Sequence, residues 1–251
     1  REMVSSDLWD EATARTYAAD SAHMFRPSVI EPAIDMLAAL AGTGPALEFA
    51  VGTGRLAIPL ASRGIPVWGI ELSPAMAARL RAKVAEEQVG VVIGDMATTT
   101  VPGRFSLVYL AWNGISNLRT QSEQVECFRN AARHLAPGGT FVIELFVPAL
   151  RRLPPGQVGI PFDVSAQHTG FDTYDVVTQQ CTSHHFTRCE DGSYRYGVGH
   201  FRYIWPAECD LMAALAGLEP VARYADWHRS PFTEASDSHV SIWAKPSGTS
   251  A

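Results

Sequence analysis

The fold is decided by one stretch of sequence, Ala46-Leu47-Glu48-Phe49-Ala50-Val51-Gly52-Thr53-Gly54-Arg55. It reads as a short apolar strand that ends in a glycine-bearing turn and leads into a helix. Glycine in such a turn lets the backbone approach a ligand because no Cβ stands in the way. The first amides of the following helix are unpaired and point outward at the same place. The pattern predicts a cradle for a polar or anionic small molecule at the carboxyl end of a strand, where open α/β sheets bind ligands.

Strand-sized apolar runs alternate with helical patterns up to residue 148. Strict alternation predicts a parallel sheet joined by right-handed crossovers. From residue 171 to residue 203 the sequence is β-rich, and Asp191-Gly192 is a hairpin signal. A helix and two strand-like runs then close the chain. We therefore expect an α/β fold with a Rossmann-like, doubly wound, mainly parallel seven-stranded sheet and an antiparallel β insertion after the fifth strand.

These patterns divide the chain into three predicted parts. Residues 1–27 form an N-terminal arm or lid, residues 28–148 and 200–251 form the core, and residues 149–199 form the β insertion. The arm carries Tyr17 and Met24. It either packs on the core or closes over the cradle with these two side chains facing the ligand, and the sequence favours neither alternative.

Composition limits the classes of function. The 251 residues are 47% apolar and 18% charged, as in ordinary globular proteins. The net charge is −6 and the pI is near 5.7, with no basic run beyond Arg151-Arg152, so nucleic acid is an unfavourable substrate. The apolar runs are too short to cross a membrane, and the first residues do not fit a signal peptide. Four cysteines without CxxC spacing predict free thiols in a reducing cytoplasm, with a Cys181–Cys189 disulfide as the alternative.

Polar side chains stand at four successive predicted strand ends, namely Glu48, Glu71, Asp95 and Asn113. The carboxyl ends of parallel strands share one edge of a sheet, so these side chains can converge on one extended ligand. Glu71 suits ribose hydroxyls, and Asp95 suits the exocyclic amine of adenine. Glu48 would repel a pyrophosphate and attract an ammonium group, which favours S-adenosylmethionine over NAD. Ala50 also departs from the GxGxxG pattern of dinucleotide sites.

Four motifs in order resemble those of class I S-adenosylmethionine-dependent methyltransferases. They are Glu48-x-Ala50-x-Gly52-x-Gly54, Glu71-Leu72-Ser73, Gly94-Asp95-Met96 and Pro137-Gly138-Gly139 before a strand. The likeness covers roughly residues 28–148 and 200–245. It implies S-adenosyl-L-methionine as cofactor and S-adenosyl-L-homocysteine as product.

The resemblance also implies which residues hold the cofactor. Those implied around its methionyl part are Glu48, Ala50, Gly52 and Gly54. Those implied at the sulfonium end are Ala111, Trp112 and Asn113. Those implied around the ribose and adenine are Glu71, Leu72, Met76, Asp95 and Met96.

The β insertion resembles, more loosely, that of small-molecule methyltransferases of natural-product pathways. These include amino-sugar N,N-dimethyltransferases, in which the insertion also builds a dimer contact. The resemblance implies a substrate cover or a dimer contact, so both a monomer and a homodimer stay open.

A general base assists when the acceptor is a hydroxyl or a protonated amine. The candidates are His184, His185 and Glu144, and the two histidines would face opposite sides of a strand. The aromatic residues that could wall an apolar acceptor are Phe146, Tyr194, Tyr203, Trp205 and Trp227. The histidine spacing is not diagnostic of a metal site, and we expect no metal.

We predict methyl transfer from S-adenosylmethionine to an oxygen or nitrogen of a small metabolite, mainly through proximity and orientation. One alternative is an enzyme or regulator that binds S-adenosylmethionine without transferring methyl. A less favoured alternative is an NAD-dependent oxidoreductase, against which Glu48 argues. No nucleic-acid or membrane partner is expected.

Overall fold

The computed structural model describes residues 22–248. The strands in this range are β1 (Ala46–Phe49), β2 (Val67–Glu71), β3 (Val89–Ile93), β4 (Phe105–Leu110), β5 (Leu135–Phe146), β6 (Gly159–Val164), β7 (His168–Asp175), β8 (Gln180–Arg188), β9 (Tyr194–Arg202), β10 (Glu219–Tyr224) and β11 (Ser238–Ala244). The α-helices in this range are α1 (Pro27–Ala41), α2 (Ala57–Ala61), α3 (Pro74–Arg81), α4 (Gln121–His134) and α5 (Pro206–Leu215).

Seven strands form one sheet in the order β10-β11-β5-β4-β1-β2-β3. The pairs among β1 to β5 are parallel, whereas β11 runs antiparallel to both β5 and β10. This architecture confirms the expected Rossmann-like fold class. In this order β2 lies on one side of β1, and β4, which comes later in the chain, lies on the other side of β1. The carboxyl ends of β1 and β4 therefore meet at a switch point of the sheet, where α/β folds bind ligands.

Helices cover both faces of this sheet. Ile34 of α1 and Leu60 of α2 belong to a buried cluster with alternate strand residues such as Leu107. On the other face Phe128 of α4 packs with its ring centroid 5.3 Å from that of Trp243, at a T-shaped angle. Because successive strand residues point to opposite faces, each central strand contributes to both apolar layers.

Local signals define the elements that lead into the cleft. The Ser73 hydroxyl accepts from the Met76 amide at 3.2 Å and caps α3, whose first residue is Pro74. Thr120 and Glu123 form a reciprocal capping box on α4. Both caps lie at the carboxyl edge of the sheet. Each one therefore fixes the residue at which a helix begins after a loop that carries predicted ligand-binding residues.

The strands β6 to β9 form a separate four-stranded antiparallel sheet over residues 159–202. Gly192 has φ 82°, and the β8–β9 hairpin pairs Arg188 with Tyr194, as the Asp191-Gly192 signal predicted. Gln124 of α4 donates to the Arg202 carbonyl at 3.2 Å, which ties the end of β9 to the core. Within residues 22–248, no helix has the length and apolar character that crossing a membrane requires.

Candidate functional site

The glycine loop after β1 takes an unusual backbone path. Ala50, Gly52 and Gly54 have φ angles of 53°, 58° and 84°, so every second residue is left-handed. A Cβ on Gly54 would lie 2.8 Å from Ile58 Cδ1, so a larger residue there would displace the Ile58 side chain and be strained at this φ. Alanine in this conformation costs about 1–2 kcal/mol. Strain of this kind at a ligand-facing loop is typical of functional sites.

Glu71 ties this loop to the end of β2. Its side chain accepts from the Gly52 amide at 2.7 Å through Oε2 and from the Ser73 amide at 2.8 Å through Oε1. The residue is 7% exposed, and burial raises the pKa of its carboxyl while the backbone amides partly offset that rise. The carboxylate therefore holds two strand-end loops in a fixed relation at the cleft.

Glu48 is the second buried acid of the cleft. It is 5% exposed and accepts from the Tyr109 hydroxyl at 2.8 Å. Burial raises the pKa of Glu48 to about 8, and the opposing effects of the Tyr109 hydrogen bond and the nearby Arg55 charge are smaller. The group is therefore mainly protonated at neutral pH, and an ammonium group placed beside it would favour its ionised form.

These two acids line one cleft at the carboxyl edge of the sheet. Its lining residues are Glu48, Ala50, Val51, Gly52, Thr53, Arg55, Glu71, Met76, Ala111, Trp112, Gly114 and Asn117. Seven of the residues predicted from the sequence to bind cofactor are in this set, namely Glu48, Ala50, Gly52, Glu71, Met76, Ala111 and Trp112. The geometry thus brings the methionyl and ribose positions of the prediction together.

The other predicted cofactor residues are not among those that line this cleft. Leu72 is 40% exposed just after β2, and Asp95 Oδ1 accepts from the Ala97 amide at 2.7 Å in the turn after β3. Met96 is buried, and the Met24 carbonyl accepts from the Arg55 guanidinium at 3.3 Å. Gly54 lies in the loop itself, Asn113 is in the turn after β4, and Tyr17 lies outside the described residues.

Several residues that line the cleft or contact its lining were missed by the sequence analysis. Thr53 is 3% exposed, and within residues 22–248 its buried hydroxyl has no hydrogen-bond partner. Such an orphaned group facing the cleft fits a polar ligand such as the methionyl part of S-adenosylmethionine. Tyr109 had one available signal, because a tyrosine within a buried aliphatic strand needs a partner for its hydroxyl. For Asn117 and Gly114 the sequence offered no such signal.

The turn after β4 is held by β5. Trp112 and Asn113 are left-handed, with φ 49° and 57°. The Asn113 amide donates to the Glu144 carbonyl at 3.1 Å, and the Phe146 amide donates to Asn113 Oδ1 at 2.6 Å. The Glu144 carboxylate accepts from the Trp112 amide and from the Trp227 indole, both at 2.8 Å. Both oxygens of this predicted base are thus engaged.

The two predicted histidine bases lie on β8, in the separate four-stranded sheet. His184 is within 2.8 Å of the Tyr196 hydroxyl and stacks on Phe171, with ring centroids 4.8 Å apart. His185 Nδ1 lies 3.0 Å from His168 Nε2 on the opposite face of the sheet. Burial and the neighbouring His168 lower the pKa of His185. Neither histidine is among the residues that line the cleft.

The aromatic residues that were predicted to wall the acceptor lie in two different parts of the structure. Phe146 and Trp227 lie beside the cleft through their contacts with Trp112 and Glu144. Tyr203 and Trp205 contact each other at a centroid distance of 6.4 Å, and Tyr194 is 58% exposed at the start of β9. None of these five residues is among those that line the cleft, but Phe146 contacts the lining residue Trp112, and Trp227 contacts Glu144, which accepts from the Trp112 amide. Among residues 22–248 no cluster of three or more potential ligands forms a metal site.

Comparison with known proteins agrees with the fold described above. Residues 46–139 match the Methyltransferase domain family. The chain is similar in structure to the CcbJ methyltransferase from Streptomyces caelestis, with 36% identity and a TM-score of 0.81 over 94% of this chain and 99% of that chain. It is also similar to CalS10, an amino pentose methyltransferase from Micromonospora echinaspora solved with S-adenosylmethionine bound. That likeness has 22% identity and a TM-score of 0.68 over 91% of this chain and 96% of that chain.

A sequence relative extends this similarity. Cypemycin N-terminal methyltransferase from Streptomyces sp is 26% identical over 244 residues, which is 93% of this chain and 96% of that protein. The likeness thus runs through both the seven-stranded sheet and the four-stranded sheet.

Proposed function

The chain belongs to the class I S-adenosylmethionine-dependent methyltransferases that act on small metabolites, and from this we propose that its acceptor atom is an amino nitrogen. S-adenosylmethionine is the cofactor, and S-adenosylhomocysteine is the product. Two of the relatives described above have amine-bearing acceptors in their names, one an amino pentose and one an N-terminus.

The state of the predicted bases carries this proposal. Glu144 has both carboxylate oxygens engaged, and His184 and His185 are held by partners in the four-stranded sheet. A neutral amine attacks with its own lone pair and loses its proton to water afterwards, whereas a hydroxyl requires a base during attack. Bound S-adenosylmethionine supplies an activated methyl group, so the protein need only bind and orient the acceptor.

We propose further that different cleft residues bind different parts of the cofactor. Glu48 and Thr53 would receive the methionyl ammonium and carboxylate end, and Glu71 would receive the ribose hydroxyls. The buried carboxyl of Glu48 and the orphaned Thr53 hydroxyl support the first assignment. Leu72, 40% exposed after β2, and Asp95 would contact the adenine.

The remaining partner assignments are also proposals. The net charge of −6 supports a small-molecule acceptor rather than nucleic acid. The free thiols, of which Cys127, Cys181 and Cys209 are buried, support a reducing compartment such as the cytoplasm. The four-stranded sheet over residues 159–202 would serve as an acceptor cover or as a contact between two copies.

Two measurements test the proposed function. Titration calorimetry should show binding of S-adenosylhomocysteine and no binding of NAD. Transfer of labelled methyl should then be measured on matched pairs of acceptors, such as an amino sugar with its hydroxyl analogue and a peptide with a free or an acetylated N-terminus. We expect only the amines to be methylated, with kcat/KM rising with pH until the acceptor amine is neutral.

Matched variants separate the amine from the hydroxyl mechanism. His184→Ala and His185→Ala should each retain most of the turnover, because neither side chain lines the cleft. Methylation of the hydroxyl acceptors, or loss of turnover in either variant with the fold intact, would refute the proposal.

A further inference from the structure

Glu144 joins three separate segments at the edge of the cleft. It lies near the end of β5, and its carboxylate accepts from the Trp112 amide after β4 through Oε2 and from the Trp227 indole, between β10 and β11, through Oε1. These partners are 32 and 83 residues away in the chain. One side chain thus fixes the relation of two loops to the end of a strand.

The segment that Glu144 holds is strained. Trp112 and Asn113 are consecutive non-glycine residues in the left-handed region, which costs about 1–3 kcal/mol each and persists only where the surroundings enforce it. Three of the contacts that hold this segment come from β5: the Asn113 amide donates to the Glu144 carbonyl, the Phe146 amide donates to Asn113 Oδ1, and the Trp112 amide donates to the Glu144 carboxylate. The carboxylate contact is thus one of the bonds that fix the orientation of the Trp112 backbone.

This turn presents aromatic surface beside the cleft. The Trp112 ring is 41% exposed and lines the cleft, and the Phe146 ring is 51% exposed. Their centroids are 5.7 Å apart in a T-shaped arrangement, and the Arg55 guanidinium lies 5.9 Å from the Trp112 centroid. Exposed aromatic faces at a ligand cleft bind the apolar faces of ligands. We call Trp112 and Phe146 the aromatic platform.

We propose that Glu144 is a positioning residue, which sets the aromatic platform on which the apolar face of the methyl acceptor rests. This inference rests on the proposed function for the presence of an acceptor at the cleft, and it assigns the carboxylate no role as a base. Each Glu144 oxygen receives an N–H donor that fixes the orientation of the carboxylate, and Glu144 is not among the residues that line the cleft.

The substitution Glu144→Gln distinguishes the two roles. A glutamine amide has one acceptor oxygen and one N–H₂ group, so it can accept from only one of the Trp112 amide and the Trp227 indole. The N–H₂ group of the glutamine then faces the other N–H donor, and two donors cannot form a hydrogen bond with each other. We expect KM for the acceptor to rise about tenfold through loss of one hydrogen bond. The pH dependence of kcat should keep its wild-type shape, because no titrating base is removed.

Two further variants are matched to this one. Trp227→Phe removes the indole donor and leaves Glu144 intact, and it should raise the acceptor KM by a similar factor. In the double variant the glutamine oxygen can turn to Trp112, so the double variant should be no worse than Glu144→Gln alone. Glu219→Gln, on exposed β10, is the control and should leave all parameters unchanged.

A spectroscopic measurement tests the contact without an acceptor. In proton NMR the Trp227 indole resonance, assigned by its loss in Trp227→Phe, should lie downfield in the wild type and move upfield in Glu144→Gln. An unmoved resonance, or an unchanged acceptor KM in Glu144→Gln, overturns the inference. A lower kcat in Glu144→Gln, together with the loss of one limb of its pH profile, would also overturn the inference because it would identify Glu144 as a base.

These outcomes are separate from those of the proposed function. A hydroxyl acceptor whose KM rises in Glu144→Gln would refute amine methylation and leave the positioning role standing. An amine acceptor that is methylated with an unchanged KM in Glu144→Gln would refute the positioning role and leave amine methylation standing.

Discussion

Replacing Glu48 by glutamine should stabilise the unliganded protein and weaken its cofactor binding. The carboxyl is 5% exposed and accepts from the Tyr109 hydroxyl at 2.8 Å, a bond that a glutamine oxygen can retain. Burial raises the pKa of Glu48 from 4.5 to about 8 in the folded protein. Between these values the unfolded chain loses the Glu48 proton while the folded chain keeps it.

The sign of the pH dependence follows from this difference. A raised folded-state pKa contributes stability that is fully present below pH 4.5 and is lost as the pH rises towards 8. The loss is about 1.4 kcal/mol per pH unit while only the unfolded state titrates. Between pH 5.5 and pH 7.5 the wild type should therefore lose about 2–3 kcal/mol relative to Glu48→Gln. The raised pKa of Glu71 occurs in both proteins and largely cancels in the comparison.

Unfolding of both proteins without ligand at the two pH values measures this effect. For a chain of this length the relative shift in Tm should be roughly 5–10 °C. The same glutamine should weaken S-adenosylmethionine binding, because it supplies no negative charge to the methionyl ammonium. Parallel pH dependence in the two proteins would refute the raised pKa, and unchanged cofactor affinity would refute the placement of the ammonium group.

Four further predictions concern the same cleft. Glu71→Ala should weaken S-adenosylhomocysteine binding by about 1–3 kcal/mol in calorimetry, since buried ribose hydroxyls lose their acceptor; unchanged affinity would place the ribose elsewhere. Gly54→Ala should destabilise the fold by about 2–4 kcal/mol in denaturant unfolding, because of φ 84° and a Cβ 2.8 Å from Ile58. Ala50→Gly should instead stabilise it by about 0.5 kcal/mol, as relief of left-handed strain exceeds the added unfolded-state entropy. Calorimetry in buffers of different ionisation enthalpy should show release of about 0.9 proton per cofactor bound at pH 7, if Glu48 ionises beside the ammonium group; no proton release would contradict this.

The local pattern of the sequence was sufficient for the fold class. Alternating strands and helices dictate a parallel doubly wound sheet, and the structure confirms it. The two acids Glu48 and Glu71 could be identified in advance because their place in the chain, at strand ends beside a glycine turn, determines their place in space. The family motifs pointed to S-adenosylmethionine for the same reason, since each motif is a short continuous segment.

The tertiary structure alone decided which side chains meet across the sheet. Tyr109 reads as an ordinary core residue, yet its hydroxyl partner is Glu48, 61 residues earlier in the chain. Glu144 reads as a base at a strand end, yet two loops occupy its oxygens. His184 and His185 follow a strand period that separates their faces, but only the arrangement of β6 to β9 shows what each one contacts.

The physical reason is the range of the interactions. Strand and helix periods, glycine turns and caps act within a few residues, so the sequence by itself determined the order of elements and the position of the glycine loop after β1. Hydrogen-bond partners and exposed aromatic faces depend on which strands become neighbours and on how far each loop reaches. The sequence therefore identified the cofactor and named Trp112 and Phe146 separately, whereas the contact between their rings, on which the proposed platform rests, depends on β4 and β5 lying side by side.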